Sequence, residues 1–180
     1  MMNICMKKYA CLALLVCGGM TFQAGAANST SVEFRMSVPN PTCNVSVLGG
    51  NNTVSLGELA RTGDKIHSDK KFRIIANCDG VGSAGRNYLT AAMANSSQGT
   101  LQSDNVRIAV KIGNRIDSTN GPFLKLQSSN TDVKLDDNTR FCATSDKNMN
   151  CELTPITSVH DGAPTGEGIV AIRFTVRYSA

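Results

Sequence analysis

Two runs of alternating residues, one near each end of the chain, constrain the fold more than any other feature. Val32, Phe34, Met36 and Val38 are spaced by Glu33, Arg35 and Ser37, and Val170, Ile172, Phe174, Val176 and Tyr178 are spaced by small or polar residues. A period of two puts one set of side chains on one face of an extended strand. Between these runs the same period recurs at Val45–Val47, Val54–Leu56, Phe72–Ile74–Ala76 up to Cys78, Val106–Ile108–Val110–Ile112 and Phe123–Leu126. Leu89–Ala94 reads as strand rather than helical turn. Breakers separate the runs: Gly49 to Asn52, Gly80 to Gly85, Gly113–Asn114 with Ser118 to Gly121, and Asp161 to Pro164. Strands punctuated this often predict an antiparallel all-β sandwich.

The first 26 residues read as a signal peptide: Lys7 and Lys8, an apolar stretch Ala10–Gly19, and Ala24-Gly25-Ala26 as the cleavage site. The apolar stretch is too short to span a bilayer. A lipoprotein site at Leu14-Leu15-Val16-Cys17 is the competing reading, but Val16 suits it poorly. Cleavage after Ala26 removes Cys5, Cys11 and Cys17 of the seven cysteines and leaves Cys43, Cys78, Cys142 and Cys151. An even number in an exported chain predicts disulfides; three pairings are open, and Cys43–Cys78 with Cys142–Cys151 is preferred. There is no C-x-x-C, and His67 and His160 lack ligand spacing, so no metal site is expected. Losing Lys7 and Lys8 takes the net charge from +4 to +2. Basic residues are scattered, which argues against nucleic acid as a partner.

No catalytic motif such as G-x-S-x-G or H-E-x-x-H occurs, so neither an enzyme nor a cofactor is expected. His67 and His160 read as solvated loop histidines. Asp136-Asp137 reads as an acidic pair facing water rather than a calcium site. Gly80-x-Gly82-x-x-Gly85 spells a phosphate loop, but no helix is expected after it.

The C-terminal alternating strand stops two residues after Tyr178. An immunoglobulin-like sandwich that ended there would lack the strand that closes its core. Its last edge would stay unpaired, a template for an inserted peptide. The N-terminal run is shaped as such a peptide, and Pro39 and Pro41 set it apart from the body.

Val38-Pro39-Asn40-Pro41-Thr42-Cys43, Asn52-Thr53-Val54-Ser55-Leu56-Gly57-Glu58-Leu59, Phe72-Arg73-Ile74-Ile75-Ala76-Asn77-Cys78 and the Tyr-bearing C-terminal strand, in this order, resemble chaperone–usher fimbrial subunits of the type 1-like kind. The resemblance covers essentially the whole mature chain. It implies a signal peptide over 1–26, a donor-strand extension over 27–39 and a pilin domain over 40–180. That domain would be an incomplete immunoglobulin-like sandwich of six strands. The resemblance implies a bridge between the first two cysteines, Cys43 and Cys78. It makes Thr30, Val32, Phe34, Met36 and Val38 the donor strand. Val170, Ile172, Phe174, Val176, Tyr178 and Ala180 become the acceptor groove and chaperone contact, with the Ala180 carboxylate gripped by the chaperone. The implied partners are a periplasmic chaperone, an outer-membrane usher and neighbouring subunits, and the implied destination is a cell-surface fimbrium reached through the periplasm. Two departures stand out. The family has Gly where this chain has Met36, and it lacks a second bridge. The extra Cys142–Cys151 pair points to a minor subunit or, alternatively, to a single-domain tip adhesin with a host receptor.

Overall fold

The structure, a computed structural model, describes residues 33, 35, 42–79 and 85–179. The signal peptide, the donor residues Thr30, Val32, Phe34, Met36 and Val38, both early prolines, Gly80, Gly82 and Ala180 lie outside the described residues. Contacts divide the chain into Met1–Ser37 and Val38–Ala180, and the architecture below is that of the second unit.

Eleven strands are described: β1 (Thr42–Val47), β2 (Gly63–Ile66), β3 (Phe72–Asp79), β4 (Arg86–Met93), β5 (Gly99–Leu101), β6 (Ile108–Val110), β7 (Phe123–Ser128), β8 (Thr131–Asp132), β9 (Phe141–Thr144), β10 (Asn148–Val159) and β11 (Ile172–Ser179). The larger sheet runs β1-β3-β10-β7-β6-β5, with β2 added to β10 and β8 to β7. The smaller runs β11-β4-β9. Every named pairing is antiparallel. The core lies between the sheets. Ile74, Ala76, Ile108, Leu126, Met149 and Leu153 from the larger sheet meet Leu89 and Ala91 from the smaller. This is the all-β sandwich the alternation predicts, cut into more segments than the six strands the resemblance implies.

Several expectations change. The longest strand, β10, escapes the alternation. Met149, Cys151 and Leu153 are buried in alternation, but from Pro155 to Val159, where β2 and β7 pair with its two edges, every residue is buried. A strand covered on both faces loses its period-two signature. Val54 and Leu56 form no strand. Val106 is held out of β6 because the Asp104 carboxylate accepts the N–H groups of Val106 and Arg107, at 2.9 and 3.1 Å. Val170 precedes the strand it was assigned to: the Ala171 N–H donates to the Gln98 side chain at 2.9 Å, and pairing with β4 begins at Ile172.

His67 is not solvated. It is 2 % exposed, its ring Nε2 lies 2.8 Å from the Thr157 hydroxyl, and its N–H donates to the Pro155 carbonyl at 3.0 Å. The polar neighbours in sequence conceal this, because a three-residue turn, Ser68–Lys70, folds the ring back onto β10. Burial, then the nearby Lys65, lowers its pKa from 6.5. Above that value the histidine is neutral whether folded or not. As pH falls through it, the unfolded chain takes a proton that the folded chain refuses, so stability declines. Urea midpoints should therefore drop between pH 7 and pH 5.5, and His67→Gln, which keeps a partner for Thr157, should flatten that decline. An unchanged pH profile in the variant would refute the assignment.

Candidate functional site

The smaller sheet is narrow, and its last strand is covered on one edge alone. β11 pairs with β4 from Ile172↔Met93 to Ser179↔Arg86, and among the described residues nothing pairs with its other edge. The opposing edge belongs to β1, which among the described residues pairs only with β3. Residues opposite one another in an antiparallel ladder share a face. Leu89 and Ala91 point into the core, so their partners Val176 and Phe174 do too, followed in alternation by Ile172 and Tyr178. Yet none of these four β11 residues is buried, whereas Leu89 and Ala91 are fully so. The inner face of β11 is apolar, aimed at the core and incompletely covered.

What it lacks cover from is a cleft. Val45 and Val47 of β1, Ile74 of β3 and Phe174 of β11 line an open cavity of ≈ 410 Å³, with Gly50 and Asn52 at its rim. Val45 is 43 % exposed and the neighbouring Leu48 52 %. Phe174 is propped from below by Phe72 and Phe141, with ring centroids 6.1 and 6.5 Å away. One contact is tilted and the other edge-on, and both pack Phe174 as one wall of the cleft.

Three devices fix the strands that form the walls. Cys43 and Cys78 are register partners in β1 and β3, with Cα atoms 4.0 Å apart, and their disulfide pins the β1 wall to the larger sheet. At the far end Tyr178 packs on Gly85, where a Cβ would collide with its ring. The glycine that completes the phosphate-loop spelling is thus a seat for an aromatic side chain. On the outer face, Asp137 clasps β11. Its carboxylate accepts from the Thr90 hydroxyl at 3.1 Å and lies 3.4 and 3.3 Å from Arg173 and Arg177, while its N–H donates to the Ala91 carbonyl at 2.8 Å. Arg177 also donates to the Asp137 carbonyl at 3.2 Å. Asp136 shapes the same turn by accepting the Thr139 and Asn138 N–H groups, which draw its pKa down to about 2. The acidic pair read as facing water is instead a brace for the last strand.

The structure thus brings Ile172, Phe174, Val176 and Tyr178 together along one cleft, and it places Val170 just outside their strand. Sequence reasoning did not assign Val45, Val47, Ile74 or Asp137 to this site. The Val45–Val47 alternation was visible, but nothing in it says which edge faces β11. Asp137 had a signal: Arg173 and Arg177 lie on the outer face of one strand and need a counter-charge. The second disulfide, Cys142–Cys151, has Cα atoms 5.7 Å apart and joins β9 of the smaller sheet to β10 of the larger. Among the described residues no group of three His, Cys, Asp or Glu side chains could hold a metal ion.

A family model described as "Fimbrial protein" matches residues 32–178. No curated protein matches the chain. Among solved structures, the chain is similar to the P pilus rod subunit PapA, at 16 % identity and a TM-score of 0.48, over 76 % of this chain and 99 % of that one. It is also similar to a chain of a chaperone–usher pilus, at 16 % identity and a TM-score of 0.48, over 85 % of this chain and 97 % of that one.

Removing the clasp should loosen the wall it holds. Asp137→Ala is expected to lower unfolding free energy by about 1–2 kcal/mol, since it strands Thr90 and two arginines. Asp137→Asn keeps the hydroxyl contact and tolerates the left-handed backbone (φ 59°), so it should lose less. Urea denaturation of both variants measures this; equal losses would show that the hydroxyl contact and backbone tolerance kept by asparagine contribute nothing and that the ion pairs carry the whole effect.

Proposed function

This chain belongs to the fimbrial protein family, and from that premise we propose that it is a structural subunit of an adhesive surface fimbria, polymerised by donor-strand exchange. The observation that carries this reading is the cleft between the free edges of β1 and β11, whose apolar wall the chain's described body does not cover. A strand laid there would take main-chain hydrogen bonds from β11 and seat alternate side chains against Val45, Val47, Ile74 and Phe174.

The peptide that fits is the extension over residues 28–38 of a neighbouring subunit, with Thr30, Val32, Phe34, Met36 and Val38 on one side. Each Val, Phe or Met so buried contributes about 1.5–3 kcal/mol. Several of them with a ladder of hydrogen bonds make a junction that separates very slowly. A cleft of ≈ 410 Å³ supports the seating of a side chain as large as Phe34 or Met36, and so bears on the departure from Gly at Met36.

In this scheme a periplasmic chaperone first lends a strand and holds the Ala180 carboxylate. At the outer-membrane usher the next subunit's extension replaces that strand, and the fibre grows at the cell surface. No bond is made or broken; completing the core supplies the driving force. The extra disulfide fits a minor subunit. A second reading, a single-domain tip adhesin with a host receptor, is favoured by one observation, a polar cleft beside Cys142–Cys151.

Deleting residues 28–38 tests the scheme. The shortened subunit, co-expressed with its chaperone and usher, should still accept a strand but donate none, so immunogold labelling should find it only at one end of a fibre. Finding it between two neighbours would remove the donor role.

A further inference from the structure

The second disulfide stands where main-chain pairing fails. Among the described residues β9 pairs with β4 alone, at two register positions, Leu89↔Phe141 and Asn87↔Thr144. One residue of β4 separates these positions but two of β9 do, so β9 carries a bulge. Cys142 lies in it with a left-handed backbone, φ 50°. A bulge bends its strand and re-aims a side chain. The re-aimed side chain here is bonded to Cys151 of β10, with which β9 shares no ladder.

The two bridges therefore differ in what stands behind them. Cys43 and Cys78 are partners within six consecutive register pairs, which remain if the bond is lost. Cys142–Cys151 ties down a four-residue strand that has two. The strand's other anchors are side chains: Arg140 just before it lies 4.3 Å from the Tyr88 ring centre, and Phe141 packs on the core. An element with so little pairing opens locally while the rest of the domain stays folded.

What hangs on β9 is the cleft. Phe141 adjoins Cys142 and is one of the two rings that prop Phe174, at 6.5 Å between centroids. Phe174 is the β11 wall of the cleft. A line of contacts thus runs from the bridge through Phe141 to that wall, although neither cysteine lines the cleft itself.

The bridge is also within reach of a reagent. Cys142 is partly exposed, and Cys142 and Cys151 both line the polar cavity of ≈ 260 Å³. The Ser128 hydroxyl lies 3.1 Å from the Cys142 sulfur and 3.8 Å from that of Cys151, in place to donate to a departing thiolate. Lys71 lines the same cavity and shares the single Glu152 carboxylate with Arg73, which leaves one positive charge over. A hydroxyl donor and a net positive charge favour thiolates. Neither Cys43 nor Cys78 lines this cavity or the cleft.

We propose that the Cys142–Cys151 bridge is a thiol-sensitive latch on the cleft: closed, it keeps β9 on β4 and Phe141 under Phe174; opened by a dithiol, it frees β9 and removes that support. One thiolate of the dithiol attacks the Cys142 sulfur, and Cys151 leaves as a thiolate and takes a proton. The second thiol then attacks the mixed disulfide, closing the reagent's own ring and releasing Cys142 as a thiol. Two electrons and two protons pass from the dithiol to the protein. That the cleft accepts a strand rests on the function proposed above; that the bridge holds its wall does not.

The test uses the full mature chain. Dithiothreitol applied under native conditions, with iodoacetamide trapping and mass spectrometry, should label Cys142 and Cys151 before Cys43 and Cys78. In Cys142→Ser/Cys151→Ser, protected amides of Phe141–Thr144 should exchange at least tenfold faster while those of Phe72–Cys78 stay unchanged. A fluorescent peptide spanning residues 28–38 should leave that variant at least fivefold faster than the parent. Phe141→Leu should speed release from the parent similarly and add less than twofold without the bridge, because both changes act through one ring. The latch is overturned if Cys43 and Cys78 are labelled first, if exchange in β9 is unchanged, or if the effects of Phe141→Leu and of bridge loss multiply independently. A parent that binds no peptide refutes the strand-accepting function, and labelling order and exchange then decide the latch alone.

Discussion

A β-strand at the margin of a sheet leaves half its main-chain groups without a protein partner, and β11 leaves them beside an apolar surface. Ordinary edges are tolerated because water satisfies the backbone and the adjoining side chains are polar or covered. Here Ile172, Phe174, Val176 and Tyr178 face the core yet stay incompletely buried, and Val45 stands open across the cleft. Water satisfies the hydrogen-bonding groups but not the apolar wall. On the reading proposed above, a strand from another subunit covers that wall and lowers the free energy.

The rest of the body fixes the strands on either side of that gap. The Cys43–Cys78 bridge ties one wall to β3, and the Asp137 clasp ties the other to β4 and to the turn that Asp136 organises. Tyr178 seated on Gly85 fixes the far end. The second bridge, from β9 to β10, links the two sheets away from the cleft. It also lines a second cavity, which is polar where the cleft is apolar.

Much of this was legible in the residues. The all-β class follows from alternation alone, and β3, β7 and β11 lie where Phe72–Cys78, Phe123–Leu126 and Ile172–Tyr178 place them. The inward set on β11 was readable because only one face of that strand is apolar. The second half of β10 was not, because from Pro155 to Val159 every residue is buried and no alternation remains, and a proline there reads as a breaker. His67 was misread for a related reason: burial is decided by where a three-residue turn sends the ring, and its neighbours Asp64, Lys65, Ser68 and Asp69 report only their own exposure. Val54 and Leu56 show the reverse failure, since alternation without an adjacent strand makes no ladder. The Asp137 clasp joins residues 36 and 40 positions apart: the paired arginines signal that a counter-charge is needed, but local pattern does not say which acid supplies it.

Amide hydrogen exchange along β11 in the lone mature monomer, before and after addition of a synthetic peptide spanning residues 28–38, tests the central claim most directly. An open edge predicts that alternate amides between Arg173 and Ser179 exchange freely, while those bonded to β4 are protected, and that the peptide slows the free set. Uniform protection of β11 without peptide, or no slowing when it is added, would contradict the account.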